Sequence, residues 1–210
     1  MQQRLMTIFE GLLKAFGPGH WWPGDSPLEV MIGAVLTQNT SWRNVEKAIA
    51  NMKEQGLLDM ARLVDIREEE LAKIIRPAGY YNVKSKRLKA VIAGFYGRFG
   101  TIEGAADVPT PELRAHLLSL NGVGPDTADS ILLYALERPV FVVDAYTRRF
   151  IGNHGLADDN LEYHDVQRLF TKNLPEDLYL FNEYHALIVR LAQQYCKKGP
   201  DCAACPLSSM

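Results

Sequence analysis

The sequence predicts an all-α protein on three observations: apolar residues recur at helical spacing, two helix starts bear capping signals, and the one β-like run stands alone. Leu28, Met31, Ile32, Val35 and Leu36 form a first stripe, and Val45, Ala48, Ile49 and Met52 a second. Leu180, Tyr184, Leu187, Ile188 and Leu191 form a third. Ser26-Pro27-Leu28-Glu29 reads as a capping box with proline at the first helical position, and Thr110-Pro111 repeats the order of cap then proline. Breaks fall at Gly17-Pro18-Gly19, Arg76-Pro77-Ala78-Gly79, Phe99-Gly100 and Gly152-Asn153-His154-Gly155. With connections of ordinary length the chain has room for roughly ten helices. Pro139-Val140-Phe141-Val142-Val143 is short and bounded by a helical stretch and an aspartate, which predicts a buried extended connector rather than part of a sheet.

With 210 residues, 47% of them hydrophobic, the chain can build one large domain or two small ones sharing a cleft. No apolar run reaches the roughly 20 residues a bilayer requires, and Met1-Gln2-Gln3-Arg4-Leu5-Met6 lacks the apolar core of a signal peptide. The expectation is a soluble, cytoplasmic monomer without membrane contact. A formal charge of −2 weighs against a protein held on nucleic acid by charge alone. Positive residues nevertheless gather in Lys84-Ser85-Lys86-Arg87-Leu88-Lys89, in Arg148-Arg149 and in Lys197-Lys198. Each such cluster, taken singly, is more often a solvated face than a nucleic-acid contact.

The strongest local signal lies between Leu113 and Leu136. Leu113, His116, Leu117 and Leu120 make a helical stripe that runs into Asn121-Gly122-Val123-Gly124-Pro125, and Ala128, Ile131, Leu132 and Ala135 resume at once. Two helices joined so tightly need glycine where φ turns positive and a small residue where something approaches closely. An αα-corner meets that description. So does a hairpin whose second helix presents unpaired amides and positive dipole to a phosphate, binding DNA without reading its sequence. The hydrophobic lead-in and the Thr127-Ala128-Asp129 continuation favour the hairpin.

About twenty residues on, Val142-Val143-Asp144-Ala145-Tyr146-Thr147-Arg148-Arg149 brings an apolar approach to an acid that opens another helix. Asp144 alone is most simply an N-cap. The order of hairpin, hydrophobic connector and aspartate resembles the helix-hairpin-helix DNA glycosylases related to endonuclease III. The resemblance spans nearly the whole chain, including Leu36-Thr37-Gln38-Asn39-Thr40-Ser41-Trp42 and Gly79-Tyr80-Tyr81-Asn82-Val83-Lys84-Ser85-Lys86.

The resemblance implies two all-α lobes with the active-site cleft between them. Residues 26–136 would form a bundle ending in the hairpin, and residues 1–25 with 137–210 the second lobe. It implies Asp144 as the catalytic carboxylate, suited to stabilising the positive charge that develops on the sugar or to orienting water. It implies Gln38 as the filler of the gap left by an extruded base. Leu120, Asn121, Gly122, Val123 and Gly124, with Lys84 and Arg148, would hold duplex DNA containing a damaged base. A monovalent cation on the carbonyls of Leu118, Leu120 and Val123 is implied by resemblance only. For Tyr80 and Tyr81 core packing competes with any role at the DNA.

Lyase members of the family carry a lysine two positions after the second hairpin glycine, and its amine forms a Schiff base with the sugar. This chain has Asp126 there, which implies water as the nucleophile and no strand cleavage. His20-Trp21-Trp22-Pro23, Thr127-Ala128-Asp129-Ser130-Ile131-Leu132 and Asn182-Glu183-Tyr184-His185-Ala186-Leu187 look most like the 3-methyladenine branch. Alkylated purines, whose positive charge favours aromatic faces, are then the implied substrates. Trp21, Trp22 and Trp42 are candidates for that face, with interior packing equally open.

Cys196, Cys202 and Cys205 form a C-x5-C-x2-C array, whose odd number and close spacing argue for metal over disulfides. The family implies a [4Fe–4S] cluster whose fourth cysteine falls one residue past Met210. Three free thiols are the alternative. At the level of the whole protein, two further readings stand beside the hydrolytic glycosylase: a glycosylase-lyase acting on oxidised pyrimidines, and a non-catalytic DNA-binding module.

Overall fold

The computed structural model describes residues 1–19, 24–158, 160–197 and 199–208, which leaves Trp21 and Trp22 outside the described residues. Among them are eleven α-helices and no strand, so the chain is all-α as its patterning predicts. Two compact units divide it: Trp22–Arg138, and Met1–Trp21 together with Pro139–Met210.

Trp22–Arg138 is organised around α2 (Pro27–Leu36). Every residue from Glu29 to Leu36 is buried, so this helix is enclosed on all sides rather than amphipathic. Ser26 caps it through its side chain, which accepts from the Glu29 amide at 3.2 Å. The box is not reciprocal, because the Glu29 carboxylate accepts from the Asp25 amide and meets Lys53 at 2.9 Å. Around α2 lie α3 (Trp42–Glu54), which buries Val45, Ala48, Ile49 and Met52, and α6 (Tyr81–Phe99), with α4 (Met60–Asp65) and α5 (Glu68–Ile74) packed on α6. The unit closes with α7 (Thr110–Ser119) and α8 (Pro125–Ser130), the latter continuing as a buried π-helical turn over Ile131–Ala135. Thr110 departs from expectation: it lies within the first turn after Pro109 and makes no side-chain cap.

The other unit contains α1 (Gln2–Phe16), α9 (Ala145–Asn153), α10 (Tyr163–Thr171) and α11 (Leu178–Gln194). Phe141 stacks on Phe170 at 4.0 Å and meets Phe181 and Tyr184 edge-on. The Tyr184 hydroxyl donates to the Leu5 carbonyl at 2.9 Å, which ties α11 to α1. Burial holds that phenol neutral, far above its ordinary pKa. The connector after Pro139 buries Phe141, Val142 and Val143 without joining a sheet. Side chains satisfy its backbone instead: the Phe141 carbonyl accepts from Gln167, and the Val143 amide donates to the Tyr163 hydroxyl.

Candidate nucleic-acid interface and carboxylate site

The turn between α7 and α8 assigns its two glycines different tasks. Gly122 takes φ +85°, where any Cβ would also lie 2.3 Å from Arg87 Cγ. Gly124 is extended (φ −93°), and its bare Cα admits Asp126 Oδ1, which a Cβ would meet at 3.2 Å. No side chain caps α8, whose first residue, Pro125, has no N–H. Asp126 is exposed, and its carboxylate accepts from the Thr127 amide at 2.8 Å. Beneath the turn, Arg114 grips the fully buried Asp129 through two bonds of 2.6 and 3.0 Å, bracing α7 against α8.

Leu120 lays its side chain over Gly94 of α6, leaving its backbone as the part available to a ligand. Asn121 is exposed and Val123 half-buried. Gln38 lies against this hairpin: its Nε2 donates to the Gly122 carbonyl and the Thr127 hydroxyl, each at 3.1 Å, and its Oε1 accepts from Arg87.

In the other unit Asp144 is an N-cap and something more. Its Oδ1 accepts from the Thr147 amide at 2.8 Å and the Thr147 hydroxyl at 3.0 Å, while Oδ2 lies 3.6 Å from His185 Nε2 on α11. The side chain keeps 25% of its exposure. Burial pushes the carboxyl upward, but His185 and the two Thr147 donors outweigh it and hold it below the usual aspartate value. It is therefore an anion at neutral pH with one oxygen fixed by its helix and the other facing an imidazole. That arrangement suits stabilisation of a nearby cationic centre better than proton abstraction.

Comparison with known proteins decides what this hairpin and carboxylate belong to. The family model for the HhH-GPD superfamily of base-excision DNA repair proteins matches residues 32–176, most of the chain and both features. The chain belongs to that superfamily. This HhH-GPD protein is a DNA N-glycosylase that binds DNA. It is 47% identical over 207 residues to a Methanocaldococcus jannaschii protein provisionally named a DNA repair glycosylase, covering 98% of this chain and 94% of that one. It is also similar to the H. pylori 3-methyladenine DNA glycosylase solved with 1,N6-ethenoadenine, at 30% identity and TM-score 0.79 over 92% of this chain and 95% of that one. An endonuclease III–DNA complex shares the fold, with TM-score 0.84 at 23% identity over 100% and 94% of the two chains.

Several residues expected at the interface of this glycosylase serve other ends. Lys84 is a correction: it is 2% exposed, and its amine donates to the Leu36 and Ala78 carbonyls at 2.9 and 2.7 Å. The stem is drawn inward because α6 buries that face, and burial, aided by Arg87, lowers the amine's pKa. Lys89 likewise donates to the Val64 and Ile66 carbonyls, so Lys86 is the exposed lysine of that cluster. Arg148 donates to the Leu161 carbonyl, and Arg149 to the Cys196 carbonyl. Trp42 opens α3 half-buried, compatible with either packing or an aromatic face.

Two placements near these features were open or unread in the sequence, the exposure of Tyr80 and the partner of Asp144. Tyr80 is 75% exposed and left-handed (φ 45°) after Gly79, a rare conformation for an aromatic residue. His185 was legible only as a histidine within an apolar helical stripe, and nothing local pointed it at Asp144.

In the tail, Cys196 and Cys205 are buried and Cys202 exposed, and all three line one cavity of about 210 Å³ with Asn153 and His154. Among the described residues no group of His, Cys, Asp and Glu is arranged to hold a single metal ion. Three thiols lining one cavity are the donor type a cluster takes, one short of the four cysteines it needs. No helix among the described residues is long and apolar enough to cross a membrane.

Proposed function

We propose that this glycosylase hydrolyses alkylated purines from duplex DNA as a monomer and leaves the strand uncut. Asp126 carries the reading: an exposed carboxylate stands where the lyase reaction needs an amine, and a carboxylate forms no imine. Lys84 is no substitute, although its pKa is lowered, because its amine is buried against two carbonyls. Likeness to a 3-methyladenine glycosylase over most of both chains supports the purine assignment.

In this mechanism the hairpin holds backbone phosphate through Asn121, Gly122, Val123, Gly124 and the Leu120 backbone, and the carbonyls of Leu118, Leu120 and Val123 would hold a monovalent cation that adds positive charge beside the phosphate. The target base leaves the stack, Gln38 fills the gap, and Trp21, Trp22 and Trp42 offer aromatic faces to the cationic purine. Exposed Tyr80 supplies a further face on which an unstacked base can rest. The N-glycosidic bond breaks with its electron pair going to the base. Asp144 stabilises the positive charge left on the sugar, and water adds to the anomeric carbon and loses its proton to solvent. Cys196, Cys202 and Cys205 would hold a [4Fe–4S] cluster that fastens the tail.

One preparation should be assayed on methylated, oxidised and uracil-containing duplexes, with borohydride added to abasic DNA. Release of methylated purines without a borohydride adduct is expected. Excision confined to oxidised pyrimidines, or a covalent adduct, would sink the proposal.

A further inference from the structure

The polar groups around Gln38 assign a role to a residue the mechanism has not used. Resting on the reading of Gln38 as gap-filler, we propose that Arg87 is a positioning residue that orients Gln38 on the hairpin, so that backbone grip and gap filling act together.

Gln38 uses both ends of its amide in one junction. Its NH₂ faces two oxygens, the Gly122 carbonyl and the Thr127 hydroxyl, at 3.1 Å each. Its carbonyl faces the Arg87 guanidinium. Arginine has donors only, so Arg87 fixes which way round the amide sits; the flipped amide would set oxygen against the Gly122 carbonyl and NH₂ against a cation. Without the guanidinium Oε1 loses its donor, and that preference goes with it.

The stem of Arg87 contributes independently. Its Cγ and Cδ lie over Gly122, where a Cβ would meet them at 2.3 and 2.6 Å. The same residue therefore covers the left-handed glycine of the hairpin and holds the glutamine bonded to that glycine's carbonyl. A shift of the hairpin on a phosphate moves the Gln38 anchor with it. Arg87 belongs to a basic run, yet it is half-buried and pointed at Gln38, as Lys84 and Lys89 are committed to carbonyls.

The test compares affinity for a duplex bearing a tetrahydrofuran abasic analogue with affinity for the same duplex undamaged, across a range of salt. Gln38→Ala, Arg87→Met and the double variant are measured with Arg87→Lys. Methionine keeps an unbranched stem over Gly122 and removes the donor; lysine restores donor and charge. The expected result is a ratio lowered about tenfold by either single change, no further loss in the double variant, and recovery with lysine. The salt slope of Arg87→Met on undamaged duplex should match wild type, and thermal unfolding confirms that each variant is folded.

Arg87→Met at the wild-type ratio, with Gln38→Ala impaired, overturns the proposal alone. An equal further loss from Arg87→Met in the Gln38→Ala background also overturns it, as does a salt slope reduced by about one, the mark of a direct phosphate contact. Gln38→Ala at the wild-type ratio overturns the gap-filling reading and the proposal with it.

Discussion

Among the helices that begin beside an aspartate, α8 and α9 treat their first amides differently. At α9 the acid is the cap itself: Asp144 gives one oxygen to Thr147 and turns the other to His185. At α8 the cap position is Gly124, the next residue has no N–H, and Asp126 sits exposed inside the first turn. One N-terminus is closed and makes a fixed anion. The other has no cap from before its first residue and can receive an anion, with Asp126 as an internal competitor for the Thr127 amide. The proposed reaction uses both, one to hold phosphate and one to face the sugar.

The largest break in that comparison is Asp144→Asn. Asparagine caps a helix as well as aspartate, so α9 and the fold should persist. On the proposed mechanism the charge that faces the sugar is lost, and single-turnover base release should fall by at least about a thousandfold, ~4 kcal/mol, while duplex binding survives. Retained release would show that another group does the chemistry. Next comes Asp129→Ala, which leaves Arg114 without its buried partner. Unfolding should cost about 3 kcal/mol less, lowering Tm by at least about 6 °C, with the hairpin's DNA affinity reduced in parallel.

What was legible in the sequence follows the same division. The hairpin could be read because its determinants are local: a helical stripe, a glycine at positive φ, and an apolar resumption. The start of α2 was readable for the same reason, through Ser26 and Pro27. Lys84 could not be read. Whether a lysine on α6 faces solvent or the Leu36 carbonyl depends on which face of that helix packs inward, a tertiary matter. The Asp144–His185 approach was hidden too, because it joins positions 41 residues apart across two packed helices. Family order pointed to Asp144, and its partner required the fold.

Smaller effects sharpen the comparison. Gly122→Ala forces a Cβ into left-handed backbone and against the Arg87 stem, and should cost about 1–2 kcal/mol in stability along with hairpin affinity. His185→Gln tests the closed N-terminus through pH. Asp144 titrates below the ordinary aspartate value, so its contribution to stability is complete above the unfolded pKa and is lost as pH falls through the folded one. Removing the imidazole should raise the folded pKa, moving the acid limb of the base-release profile to higher pH. The two Thr147 bonds remain, so the limb moves only part of the way. An unmoved limb would mean that Thr147 alone sets the charge.

The smallest expected effect lies at the open N-terminus. Asp126→Asn removes the carboxylate competing for the Thr127 amide and the negative charge nearest an incoming phosphate. It also removes an acid from a helix's first turn, where a negative charge contributes about 0.3–1 kcal/mol to the free protein. That contribution is shared by free and bound protein and largely cancels in binding, so the shed repulsion sets the direction. Affinity for undamaged duplex should rise about two- to fivefold at low salt and converge with wild type as screening shortens the reach of an exposed charge. A gain that persisted at high salt would point to a new hydrogen bond from the asparagine amide. A loss would mean that Asp126 orders the open turn more than it repels the strand.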